Sequence, residues 1–97
     1  SPLARVSQHA SVGAGTIVMH FALVNADAEV GENCIINNRA LVEHDVVVGD
    51  HCHVSTGSIL NGNAQLGSRS FYGSGAVSKE GAIIPEGSFV KANSIVK

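Results

Sequence analysis

The chain has 97 residues and a net charge of −2 with histidine neutral, a size that fits one domain. There is no basic surplus to draw nucleic acid or an anionic membrane, no apolar run that spans a bilayer, and no basic-then-apolar leader. Two cysteines are too few for a disulfide framework and point to a reducing cytoplasm; with three Phe, one Tyr and no Trp, any core must be thin and regular.

From Ala4 the chain divides into hexads without an insertion. In order they read ARVSQH, ASVGAG, TIVMHF, ALVNAD, AEVGEN, CIINNR, ALVEHD, VVVGDH, CHVSTG, SILNGN, AQLGSR, SFYGSG, AVSKEG, AIIPEG, SFVKAN and a partial SIVK. The first position is always Ala, Ser, Thr, Cys or Val. The third is aliphatic everywhere except Tyr72 and Ser78. Side chains alternate across a strand, so positions one and three share one face and position two takes the other. Positions four to six are rich in Gly, Asn, Asp, Glu and Lys, as turns are. Each hexad is therefore a short strand and a corner, and the apolar spacing of a helix is absent.

Gly13, Gly31, Gly49 and Gly67 recur every 18 residues, three hexads apart. Three strands then make one turn of a triangular coil. About five coils, each about 4.8 Å high, give a prism on the order of 25 Å long. The expected fold is an all-β parallel β-helix with small and aliphatic residues in its interior.

Position two of each hexad points outward. The first face carries Arg5, Leu23, Leu41, Ile59, Val77 and Ile95; the second Ser11, Glu29, Val47, Gln65 and Ile83; the third Ile17, Ile35, His53, Phe71 and Phe89. The second is mixed, as a wet face is. The first and third are almost wholly apolar and need cover. A head-to-tail ring, first face against the neighbour's third, would bury both.

Of the five histidines, His53 is the one polar residue in the third outer column. It is either a satisfied structural group or a functional one, since a buried imidazole is costly. His44 is the fifth residue of ALVEHD, between Glu43 and Asp45. By itself a corner histidine beside acids is an ordinary surface residue, yet an adjacent carboxylate also fixes a tautomer and raises basicity. His44 and His53 share a coil, so a threefold ring would set one against the other across a subunit boundary. His51, at the wet corner, and His9 read as solvent-exposed, and His20, between Met19 and Phe21, as structural. Cys34 and Cys52, 18 apart at inward positions, read as small core residues stacked in adjacent coils.

This hexad grammar resembles the hexapeptide-repeat acyltransferases, and that resemblance implies a left-handed β-helix and a homotrimer. Residues 15–75, from GTIVMHF to FYGSG, resemble the bacterial sialic acid O-acetyltransferase and nucleotide-sugar N-acetyltransferase family. The most specific element is EHD, followed nine residues after its histidine by the histidine of HVS. The resemblance implies transfer of acetyl from acetyl-CoA to a nucleotide-linked amino sugar or a sialic acid. It implies that His44 is the general base, that Asp45 tunes it, and that His53 bonds the thioester or pantetheine region. It also places Ser74 and Ala92, at matching corner positions, along the CoA arm, with Gly62 a further candidate; small residues in tight corners are the plainer reading of all three. Residues 1–97 are expected to be the β-helix domain alone, without the family's N-terminal nucleotide-sugar-binding domain.

Two rivals stand beside this reading. One is a trimeric scaffold without catalysis. The other is a metal-dependent hydratase, because γ-type carbonic anhydrases share the fold and bind zinc through histidines. Their grammar has two histidines five apart, a spacing the five histidines here do not contain. No metal is expected.

Overall fold

The computed structural model describes residues 1–97 and contains strands, turns and no helix. A strand of two residues occupies positions two and three of all sixteen hexads. Every third strand pairs, in parallel, so three sheets wind around one axis. The first sheet stacks Arg5–Val6, Leu23–Val24, Leu41–Val42, Ile59–Leu60, Val77–Ser78 and Ile95–Val96. The second stacks Ser11–Val12, Glu29–Val30, Val47–Val48, Gln65–Leu66 and Ile83–Ile84. The third stacks Ile17–Val18, Ile35–Ile36, His53–Val54, Phe71–Tyr72 and Phe89–Val90. Partners are 18 residues apart, as in Leu23↔Leu41 and Ile35↔His53. The result is a parallel solenoid of about five turns, with extents of 30 × 21 × 19 Å. No helix is long and apolar enough to cross a membrane.

The hexad rule places the core. Small first-position residues, such as Ala22, Cys34, Ser58 and Ala76, alternate with third-position Val24, Ile36, Val42, Val54 and Leu60, and all are buried. Burial depends on a coil having neighbours above and below. In the first coil Val6 is 41% exposed, whereas its stacked equivalents Val24 and Val42 are sealed. This is the nearest-neighbour stability of a repeat protein.

The corners turn through the left-handed region. Every sixth-position residue from Gly15 to Asn93 has positive φ, between 54° at Asn33 and 76° at Gly15. Most are Gly, Asn or Asp, which tolerate that conformation best. The Gly column after the second sheet has a different cause, close approach. A Cβ on Gly13 would meet the Gly31 carbonyl at 2.6 Å, and one on Gly49 would meet the Ser68 nitrogen at 2.6 Å.

The two exceptions to the third-position rule are one packing unit. Tyr72 is fully buried, and its hydroxyl donates to the Ile59 carbonyl at 2.9 Å. Ser78, one hexad on, also meets that hydroxyl, and burial pushes the phenol up to about 12. An aliphatic residue at Ser78 would compete for the space the ring fills. The cysteines are free and buried, and their Sγ atoms donate to the Gly49 and Gly67 carbonyls at 3.1 Å.

Candidate active site

His44 stands at the corner that joins the first sheet to the second, between Leu41–Val42 and Val47–Val48. Its Nδ1 lies 3.0 Å from Asp45 Oδ2, and the two side chains are 50% and 49% exposed. An ionised carboxylate only accepts, so Nδ1 carries the proton and donates it, which leaves Nε2 as the open basic nitrogen. The hydrogen bond to Asp45 is the main reason the imidazole's pKa is raised; desolvation works against it, and the charges of Asp45, Glu80 and Glu43 add to it. Asp45 occupies the left-handed corner position, with φ 60°, and its carboxylate turns back onto the residue before it.

Two neighbours hold this corner. Asn25, one coil below, accepts the Ala26 N–H on its Oδ1 and donates from Nδ2 to Glu43 Oε1 at 2.9 Å. Gly62, one coil above, lies against the imidazole. A Cβ there would fall 2.5 Å from Nε2 and 2.6 Å from Cε1. Gly62 has no left-handed φ, so it is space, not backbone freedom, that glycine supplies here.

His53 projects from the outer side of the third sheet. Phe71 packs edge-on against its ring, at 5.2 Å between centroids and 73° between planes, and Phe89 stacks on Phe71 at 5.1 Å. Its Nε2 lies 3.2 Å from Asn37 Nδ2. The sequence reading missed Asn37. The signal that finds it is the fourth-position column at the corner beside the third face, one coil before His53.

Ser74 and Ala92 both sit exposed on the corner between the third and first sheets. The Ser74 hydroxyl is turned back to Ser55 Oγ at 3.0 Å. The backbone N–H groups of Ser74 and Ala92 donate to nothing within the chain. At the corner after the second sheet, by contrast, the equivalent N–H groups of Glu32 and Asp50 are capped, by Asp50 Oδ1 at 2.8 Å and Ser68 Oγ at 3.0 Å.

A single chain does not assemble these parts. His44, Asp45 and Gly62 share one corner, and the third sheet with His53 lies across the core from it. Ser74 and Ala92 stand at another corner, so Gly62 is separated from them. A groove of about 830 Å³ lies toward the N-terminal end of the His44 corner, lined by Arg5, Val6, Ser7, Gln8, His9, Leu23 and Asn25. His9 and His51 are exposed, and His20 Nδ1 lies 2.6 Å from the Ser1 hydroxyl. No three His, Cys, Asp or Glu side chains converge as a metal site would require.

A three-sided parallel solenoid with one strand per six residues is the hexapeptide-repeat class of β-helix. Within it, the chain belongs to the bacterial hexapeptide transferases: the six-repeat family model, "Bacterial transferase hexapeptide", matches residues 9–44 and again 27–62. The chain is 33% identical to the acetyltransferase domain of PglB from Neisseria gonorrhoeae FA1090, with a TM-score of 0.98 over 99% of this chain and 47% of that one. The same domain solved in complex with acetyl coenzyme A is 32% identical, with a TM-score of 0.94 over 98% of this chain and 48% of that one. PerB from Caulobacter crescentus, solved with CoA and GDP-perosamine, is 38% identical, with a TM-score of 0.98 over 99% of this chain and 46% of that one. The chain thus spans a little under half the length of these proteins. No curated protein matches it.

Proposed function

We propose that this domain transfers the acetyl group of acetyl-CoA to an amine or hydroxyl of a nucleotide-linked sugar, in pockets shared between subunits of a homotrimer. The observation that carries the reading is the His44–Asp45 pair, a carboxylate-held imidazole that packs against Gly62 and whose Nε2 has no hydrogen-bond partner within the chain. Its support is the likeness to solved acetyltransferases that hold acetyl-CoA, or CoA with a GDP-sugar.

The chemistry is direct transfer. Nε2 of His44 accepts a proton from the acceptor as its nitrogen or oxygen attacks the thioester carbonyl. His53 of the partner subunit donates a hydrogen bond to the carbonyl oxygen as negative charge builds there. The tetrahedral intermediate collapses, the C–S bond breaks, and the protonated His44 returns the proton to the CoA thiolate. Both cysteines are buried and engaged with backbone carbonyls, so neither serves as an acyl carrier. The free N–H groups of Ser74 and Ala92 suit the amide carbonyls of the pantetheine arm, and the groove beside Arg5, Gln8 and His9 suits the acceptor. The reduced, buried cysteines fit a cytoplasmic enzyme.

Exposed apolar surface supports the trimer. Ile17 is 53% exposed, Phe89 72% and Ile95 75%, all on the first and third faces, and a closed ring covers both faces at once. The test of the reaction is release of CoA thiol against a panel of nucleotide-linked amino sugars and sialic acids. Wild type should turn over one of them and His44→Ala should lose at least about a hundredfold in rate; equal rates would remove the base.

A further inference from the structure

Asn37 cannot choose which way its amide faces His53. Its Oδ1 accepts the N–H of Asn38 at 2.8 Å, closing a local turn. The amide is planar, so Nδ2 is the atom that faces the imidazole, 3.2 Å from Nε2. Nδ2 has only hydrogens to offer. Nε2 must therefore be the unprotonated, accepting nitrogen, and the ring proton sits on Nδ1. Asn25, at the same hexad position two corners earlier, does the same thing: its Oδ1 takes the Ala26 N–H and its Nδ2 donates, there to Glu43. The same local turn thus fixes the amide at both places.

The other half of the ring is left free. Nδ1 has no partner within the chain, and it is not sealed away, since the structure holds no buried side-chain nitrogen or oxygen without one. Phe71, edge-on to the imidazole and itself stacked on Phe89, resists rotation of the ring plane. Backbone turn, amide, imidazole and aromatic stack form one chain of constraints that ends in an unpartnered N–H on the third face.

We infer that Asn37 is a positioning residue that locks His53 in its Nδ1–H form, so that His53 presents a hydrogen-bond donor to the carbonyl oxygen of the bound thioester. The use of that donor rests on the acetyl-CoA reading above; the lock itself does not. A free imidazole divides its proton between two nitrogens, and the Nε2–H form would aim a lone pair at the carbonyl where a donor is needed. Holding the tautomer in advance removes that cost from the reaction.

The measurement is the nitrogen-15 spectrum of the histidine side chains in the assembled protein, at a pH where the rings are neutral. His53 is assigned by its loss in His53→Ala. In wild type, Nε2 of His53 should resonate in the unprotonated range and Nδ1 in the protonated range. Asn37→Asp keeps the Oδ1 that caps Asn38 but offers Nε2 an acceptor in place of a donor. It should move the Nε2 signal of His53 into the protonated range, leave His44 unchanged, and raise KM for acetyl-CoA about tenfold. A protonated Nε2 in wild type, or an Nε2 signal that ignores Asn37→Asp, would overturn the lock whatever the enzyme acetylates. If the Nδ1–H form is present but saturating acetyl-CoA leaves its signal unmoved, the lock stands and the acetyl-CoA reading fails.

Discussion

His44 packs against Gly62, one coil above it, so closely that a single methyl group on the glycine would fall 2.5 Å from Nε2. The imidazole can therefore take this position only because its stacked neighbour has no side chain. Gly62→Ala is allowed by the backbone, since Gly62 has no left-handed φ. The alanine would push the imidazole off Asp45 or cover Nε2. We expect thermal stability to stay within about 1 kcal/mol of wild type, because the ring is half exposed and can swing outward. Acetyl transfer should fall by about a hundredfold, as a misplaced catalytic group requires. A melting curve and a steady-state rate on the same preparation check both.

In the proposed transfer, the carboxylate beside His44 would set the pH dependence. Asp45 stabilises the protonated imidazole, chiefly through the hydrogen bond, and raises its pKa above the ordinary value. A base must be unprotonated, so kcat/KM should climb with pH and reach its plateau above the usual histidine range. Asp45→Asn keeps a residue suited to the left-handed corner but removes the charge. Its profile should shift to lower pH and its plateau rate should drop, because the weaker base is also the less effective one. The fold feels the same linkage. A pKa raised on folding contributes stability that is present at acid pH and is lost as pH rises through the raised value. With both side chains half exposed, that contribution is small.

Tyr72 is the only tyrosine, and the chain has no tryptophan, so tyrosinate absorbance reports on this residue alone. Burial pushes its ionisation up to about 12. The neutral phenol thus stabilises the fold fully below its ordinary pKa near 10, and that contribution is lost as pH rises toward 12. Absorbance should stay flat through pH 10 and rise together with the loss of β-sheet circular dichroism. Ser78→Val should cost about 1–3 kcal/mol by overpacking the site that Tyr72 fills, measured by urea denaturation.

The repeat itself was written in the sequence. The fixed six-residue phase of small and aliphatic residues gives strands at positions two and three, and all sixteen strands lie there. Stacking at a spacing of 18 was legible from the Gly column, and the structure adds the reason, that a Cβ at Gly13 or Gly49 would strike the next coil. The corner conformation was only partly legible. Asn, Asp and Gly announce a left-handed residue, but Phe21, Arg39, His51 and Arg69 adopt it too, because the coil geometry imposes it at every sixth position. The surroundings of the two histidines were harder to see. Gly62 appears in the sequence as one more small corner residue, and only its place 18 after His44 puts it against the ring. Asn37 and His53 are 16 apart, off the stacking period, and meet because both side chains lean along the outside of the coil.

The central claim is that His44 and His53 act on one substrate although the core of each chain stands between them. Mixing subunits tests it. His44→Ala and His53→Ala are each expected to be nearly inactive as pure trimers. Unfolded together in equal amounts and refolded, they form rings in which some boundaries pair an intact His44 on one chain with an intact His53 on the next, about one boundary in four under random assembly. The account predicts recovery of about a quarter of the wild-type activity. No recovery from mixed rings whose composition is verified by mass would contradict it.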